Sequence, residues 1–170
     1  MKPYLYVIEG HENDGKTTTC WLLLNMLKPY IECINYWKLS FDDNIRYDTL
    51  RQMYVCPQKI ASHEGGTNNP IDFIFVARIN NPAHCKIAII SAGDEALYVK
   101  KHIYEMLGND VHHIVCCERT YNKVGSTKRM LHYEFNISSF VYEQTLAHPC
   151  NSASQIKVAT DIFNLLTKIK

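Results

Sequence analysis

The residues best placed to do chemistry run Gly10-His11-Glu12-Asn13-Asp14-Gly15-Lys16-Thr17. They match G-x-x-x-x-G-K-[ST], the pattern of a phosphate-binding loop. In such a loop successive backbone N–H groups turn inward at a helix N-terminus and form an anion cradle. Lys16 would reach the β- and γ-phosphates of a nucleotide, and the Thr17 hydroxyl would help hold Mg2+. The expected nucleotide-binding residues are therefore Gly10, His11, Glu12, Asn13, Asp14, Gly15, Lys16, Thr17 and the adjoining Thr18. The competing reading is a glycine-rich turn without a ligand.

The flanking elements suit that loop. Tyr4 to Ile8 is an apolar run that reads as a buried strand. A helix is expected from Lys16 to Lys28, with Cys20, Leu23, Leu24 and Leu27 on one face and Pro29 at its end. Ile31–Leu39 reads as a second strand. Phe41–Tyr54 reads as a helix, with Asp42, Asp43 and Asn44 in its first turn and Ile45, Leu50 and Met53 as its stripe. Residues 56–70, rich in glycine and asparagine, read as an irregular loop. Asp72–Ile79 and Lys86–Ser91 are spaced as a hairpin, and the apolar Ile87–Ile90 suits a central parallel strand. A helix over Glu95–Leu107 ended by Gly108, a strand over Val111–Cys117 and a polar, basic stretch over Glu118–Asn136 follow. A strand at Ile137–Tyr142 and a closing helix at Ser152–Ile169 complete the chain. Ile156, Ala159, Phe163, Leu166 and Ile169 are the expected inward face of that helix.

Strands alternating with helices predict an α/β three-layer sandwich, with a mostly parallel sheet, helices on both faces and a β-hairpin addition. Ligands of such sheets bind beyond the carboxyl ends of the strands, where the Gly10–Thr17 loop lies. At 170 residues, 46% apolar and 21% charged, the chain is expected to form one domain spanning residues 1–170. A net charge of +1 supplies no bulk field for nucleic acid or an anionic membrane. Seven cysteines with no C-x-x-C pair and no leader-like segment fit a reducing, cytoplasmic setting. No apolar run approaches the ~20 residues of a membrane helix.

The strand, loop and helix over Tyr4–Leu27, and more loosely the order of elements beyond them, resemble the P-loop NTPase superfamily in its nucleoside- and nucleotide-kinase-like branch. That resemblance implies an ATP- and Mg2+-using phosphotransferase whose partners are a nucleotide and a small-molecule acceptor, with homodimerisation left open. It also implies a short arginine-bearing lid after a later strand. Residues Glu118–Met130 occupy a comparable place, and Arg119, Lys123, Lys128 and Arg129 are its cations. A solvated basic loop is the plainer reading of them. Lys16, Arg119 and Arg129 are thus expected at the transferred phosphate. Asn13 stands where the branch usually has a third glycine, and asparagine tolerates the positive φ needed there. Glu12 and Asp14 bring negative charge into an anion cradle, which His11 would offset when protonated.

Thr17 needs an acidic partner at the metal. Asp94, after Ile87–Ile90, is the first expectation for both the metal and the catalytic set, its other reading being a helix N-cap. Glu118, after Val111–Cys117, is the second. Asp42 and Asp43 fit a helix start better than a site. A zinc reading of His112-His113-Ile114-Val115-Cys116-Cys117 fails, because His112 and Cys116 on one strand face stand about 13 Å apart. Guanine specificity lacks its motifs, since Asn122-Lys123-Val124 is followed by Gly125 and not by an aspartate. The other functional class that fits is a non-catalytic or slowly hydrolysing nucleotide-binding module acting through a protein partner.

Overall fold

A computed structural model describes residues 2–40, 50–54, 72–80, 85–93, 95–120 and 126–169. Its elements are β1 (Tyr4–Gly10), α1 (Lys16–Leu27), β2 (Ile31–Ser40), β3 (Leu50–Tyr54), β4 (Phe73–Ile79), β5 (Lys86–Ile90), α2 (Ala96–Gly108), β6 (His113–Arg119), α3 (Thr127–Phe135), β7 (Phe140–Thr145) and α4 (Ser152–Leu166). The strands form a seven-stranded mixed sheet in the order β3-β2-β4-β5-β6-β1-β7. Within it β5, β6, β1 and β7 are mutually parallel, and β4, β2 and β3 continue the sheet as an antiparallel wing.

The expected predominance of parallel pairing is corrected here: three of the six pairings are antiparallel. A parallel neighbour needs a crossover of a dozen or more residues, usually a helix. α2 supplies it between the neighbours β5 and β6, and α3 carries the chain from β6 past β1 to β7. Between Ile31 and Ile90 no helix occurs among the described residues, and there the neighbours pair antiparallel. The β4–β5 hairpin is present, with Ile74 opposite Ile90 and Arg78 opposite Lys86.

A second correction concerns the helix expected over Phe41–Tyr54. Residues 41–49, which include Asp42 and Asp43, lie outside the described residues, but Leu50–Tyr54 is β3. It pairs with β2 from Tyr36 opposite Tyr54 to Ser40 opposite Leu50. The open edge of β2 competes for this backbone more strongly than a stripe of three apolar residues can hold it helical.

Alternation along β1 sends side chains to two separate cores. Tyr6 and Ile8 join Cys20, Trp21, Leu24 and Leu27 of α1 and Val158, Ala159 and Ile162 of α4 on one face. Leu5 and Val7 join Val99 and Ile103 of α2 and Leu131 and Phe135 of α3 on the other. The sheet is thus covered on both faces. On the inward face of α4 the expected Ala159 and Leu166 are buried, together with Val158 and Ile162, while the expected Ile156 is 49% exposed. Phe163 and Ile169 pack only at the margin. The buried stripe thus overlaps the expected one and extends to Val158 and Ile162 in place of Ile156.

One packing contact matters for the site. Trp21, one turn after Thr17, sets its ring 4.4 Å from that of Phe73 at the start of β4. Both rings are almost fully buried, and a pair of this kind is worth about 1 kcal/mol beyond its buried area. It fixes the first residue of the antiparallel wing against the helix that follows the loop. No helix among the described residues is long and apolar enough to cross a membrane.

Candidate phosphate-binding site

The loop begins where β1 ends, at the carboxyl edge of the parallel strands. Its first carbonyl, on Gly10, accepts from Thr120 N–H at 3.3 Å, and Glu9 O accepts from Leu146 N–H at 2.8 Å. Glu9 and Gly10 are therefore clamped between the end of β6 and the segment after β7. Asn13 has φ 63° and Gly15 φ 75°, so the turn uses left-handed backbone at both. The asparagine fulfils the role expected of it. Gly15 is also the N-cap of α1, and no side chain caps that helix and no acid occupies its first turn. The first N–H groups of a helix have no intrahelical acceptor, so an uncapped start is suited to an anion.

Lys16 is buried, and its ammonium donates to Gly10 O at 3.2 Å and His11 O at 2.7 Å. The charge is thus folded across the loop from which it would reach phosphate. The two acids each have a basic partner. Glu12, 61% exposed, pairs with Arg119 at 3.7 Å. Asp14 is only 3% exposed, accepts from the His11 N–H at 2.7 Å and meets His148 Nδ1 at 2.8 Å. Burial alone would raise the Asp14 carboxyl, but the bonds from His148 and His11, and the charges of those imidazoles, take it below the usual carboxylate range. Asp14 therefore takes up the His11 N–H of the loop with one oxygen and meets His148 with the other.

Thr17 finds a partner that the sequence did not single out. Its hydroxyl donates to Asp72 Oδ1 at 2.6 Å, and Ser91 Oγ donates to the same oxygen at 2.9 Å. Ser91 in turn accepts from Phe73 N–H at 2.8 Å, which directs its own proton to Asp72. Because β4 runs antiparallel to β5, the residue before β4 lands at the carboxyl end of β5, on the edge that carries the loop. In sequence Asp72 is only the first polar residue of a hairpin strand. Its one signal was position: it precedes an apolar run that pairs with Ile87–Ile90. Two adjacent oxygen ligands of octahedral Mg2+, bound at 2.0–2.1 Å, stand about 2.9 Å apart. Thr17 and Asp72 thus bring two oxygen atoms side by side, the donor type that Mg2+ takes.

Of the other expected site residues, Asp94, Lys123 and the acids Asp42 and Asp43 lie outside the described residues. The N-cap position of α2 belongs to Glu95. Arg119 ends β6 opposite Gly10, at the mouth of the loop. Arg129 and Lys128 stand in the first turn of α3, whose N-cap Ser126 accepts the Arg129 N–H at 3.2 Å. The Arg129 residue is exposed, and Thr18, in the first turn of α1, is partly buried. Lys128 points to the sheet and pairs with Glu9 at 2.6 Å and Glu143 at 3.7 Å.

Glu118 belongs to that second group. It is fully buried beside Glu143, and neither of its oxygens receives a hydrogen bond. Burial, reinforced by the charge of Glu143, pushes its pKa up to about 8. Glu9 goes the other way: burial would raise it, but bonds from Lys128 and Thr145 hold it below the usual range.

Replacing Asp72 with Asn keeps an oxygen for Thr17 and Ser91 but removes the charge. The folded state should be retained, and the dependence of nucleotide affinity on Mg2+ should fall at least roughly tenfold. Isothermal titration with ATP, with and without Mg2+, reads this directly. An unchanged Mg2+ dependence would mean that Asp72 holds no Mg2+.

Comparison of the chain with protein-family models, with curated proteins and with solved structures returned no match.

Proposed function

We propose that this chain is a P-loop-type phosphotransferase that uses ATP and Mg2+ to phosphorylate a nucleotide, a nucleoside or a comparable small metabolite. The observation that carries this reading is the Thr17–Asp72 pair beside the uncapped start of α1. Backbone N–H groups at the start of α1 bind the phosphates, Lys16 leaves its carbonyl partners for the β- and γ-phosphates, and Thr17 with Asp72 holds Mg2+. Arg119, at the mouth of the loop, exchanges Glu12 for the transferred phosphoryl group. Phosphoryl transfer demands positioning and positive charge more than covalent chemistry, and these groups supply both.

A second reading, a nucleotide-binding regulatory module that turns over slowly or not at all, is favoured by one specific observation. Lys128, an expected lid cation, is tied to Glu9 in the described structure. Turnover separates the two. Purified protein with Mg·ATP is assayed for ADP release against a panel of nucleosides, nucleoside monophosphates and other small hydroxyl compounds. The phosphotransferase reading expects release that rises with one acceptor class and is lost in Arg119→Ala. Nucleotide binding without acceptor-dependent release would establish the regulatory module in its place.

A further inference from the structure

At the mouth of the Gly10–Thr17 loop, two imidazoles and a carboxylate converge from segments 134 residues apart. The ligand atoms of His11, Asp14 and His148 all lie within 4.8 Å of one another. The two imidazole rings are 4.3 Å apart, and Asp14 Oδ1 is 2.8 Å from His148 Nδ1. The other Asp14 oxygen is anchored by the His11 N–H, which holds the carboxylate in one orientation. Metal-binding carboxylates are commonly held this way by a hydrogen bond behind the ligand.

We propose that His11, Asp14 and His148 bind one divalent transition-metal ion of the zinc class, leaving a coordination position for water or a phosphate oxygen. Two nitrogens and one oxygen suit Zn2+ and its neighbours; Mg2+ and Ca2+ take all-oxygen sets. Tetrahedral ligands at bond lengths of 2.0–2.2 Å stand about 3.3–3.5 Å apart. The present spacing closes to that by rotation of His148, whose side chain is 60% exposed. The ion takes the place of the proton between Asp14 and His148. It also answers the acid content of the loop: one carboxylate with a divalent ion is locally +1, where the carboxylate alone is −1. The second group of this kind, Glu118, His132 and Glu143, is a weaker candidate, because Lys128 stands 3.7 Å from Glu143 and already supplies a cation.

The test is titration of metal-stripped protein with Co2+, followed by visible absorption, in the absence of nucleotide. The expected result is uptake of one equivalent with the ligand-field bands of a tetrahedral ion, bleached when Zn2+ is added. His148→Ala and His11→Ala should each weaken uptake at least about tenfold, since even loss of a group behind a ligand costs that much. Circular dichroism verifies that both variants are folded, and His132→Ala should bind like the parent. Absence of saturable uptake would overturn the proposal. So would uptake that survives both His11→Ala and His148→Ala, or that is lost only in His132→Ala. Because no nucleotide is present, the outcome is independent of whether the chain is a phosphotransferase.

Discussion

Gly93→Ala should lower the melting temperature by roughly 6–12 °C, the shift that about 3 kcal/mol causes in a domain of this size. A Cβ at this position would lie 2.5 Å from Cys117 Cβ and within 2.7 and 2.8 Å of the Cys117 carbonyl carbon and oxygen. Two of those three neighbours are backbone of β6, a central strand paired on both sides, so the obstacle cannot swing away. Gly93 O also accepts the Thr127 hydroxyl at 2.6 Å, tying the start of α3 to the end of β5. A methyl group would therefore push apart two elements that frame the site. Glycine is needed here for close approach of two backbones, and no positive φ is involved. The control is Gly108→Ala at the end of α2, where an added Cβ meets nothing within 4 Å. That variant should be neutral or stabilised by up to about 1 kcal/mol. Thermal melts of both variants decide the matter, and a Gly93→Ala protein as stable as the parent would contradict the packing described.

Glu118→Gln should stabilise the protein, and increasingly so with rising pH. The native state holds the Glu118 proton up to a pKa of about 8, whereas the unfolded chain releases it near 4.5, the ordinary value of a glutamate. Between those values the unfolded state binds fewer protons than the native one, so stability falls as pH rises through the window. The charged form has no donor to either oxygen and faces Glu143, which is why its release is resisted. Glutamine cannot ionise, and its amide can donate to Glu143. The expected gain is a few kcal/mol at pH 8.5, on the order of 5–10 °C, shrinking toward zero near pH 5. Other groups titrate elsewhere or in the opposite sense. Asp14 and Glu9, both held low, lose their contribution only as pH falls below the ordinary carboxylate range. His113, lowered by burial, contributes stability that is fully present above about 6.5 and is lost as pH falls below it. Asp14 and His113 contribute equally to parent and variant, so the difference between their melting curves reads the ionisation of Glu118 together with its carboxylate neighbours Glu143 and Glu9. A difference that does not vary with pH would mean that Glu118 is ionised in the native protein.

What could be read from the sequence was local. The strand, the turn and the helix of the Gly10–Thr17 region are each decided within a few residues: five apolar residues, an asparagine able to take positive φ, a glycine at the cap and a stripe of leucines. The same is true of α2, although it runs through Gly108 and is capped at Asn109, and of the β4–β5 hairpin. The missed features are matters of distance along the chain. Asp72 meets Thr17 across 55 residues and only because the wing folds back antiparallel. His148 meets Asp14 across 134 residues, and Lys128 meets Glu9 across 119. Nothing in the neighbourhood of those residues announces the partner. Leu50–Tyr54 shows the same limit in a strand, since an edge offered by β2 outweighs a weak helical pattern. The Lys128 result also shows why a basic run is a poor guide to a lid: the charge can be spent inside the fold.

The central claim is that nucleotide phosphate sits on the Gly10–Thr17 loop. Its most direct test is isothermal titration of the parent protein and of Lys16→Ala with Mg·ATP. The account predicts one saturable site in the parent and affinity weakened by roughly 30-fold or more in the variant, as expected when one partner of a charged, desolvated contact is removed. No binding of any nucleotide at millimolar concentration, or equal affinity in parent and variant, would contradict it.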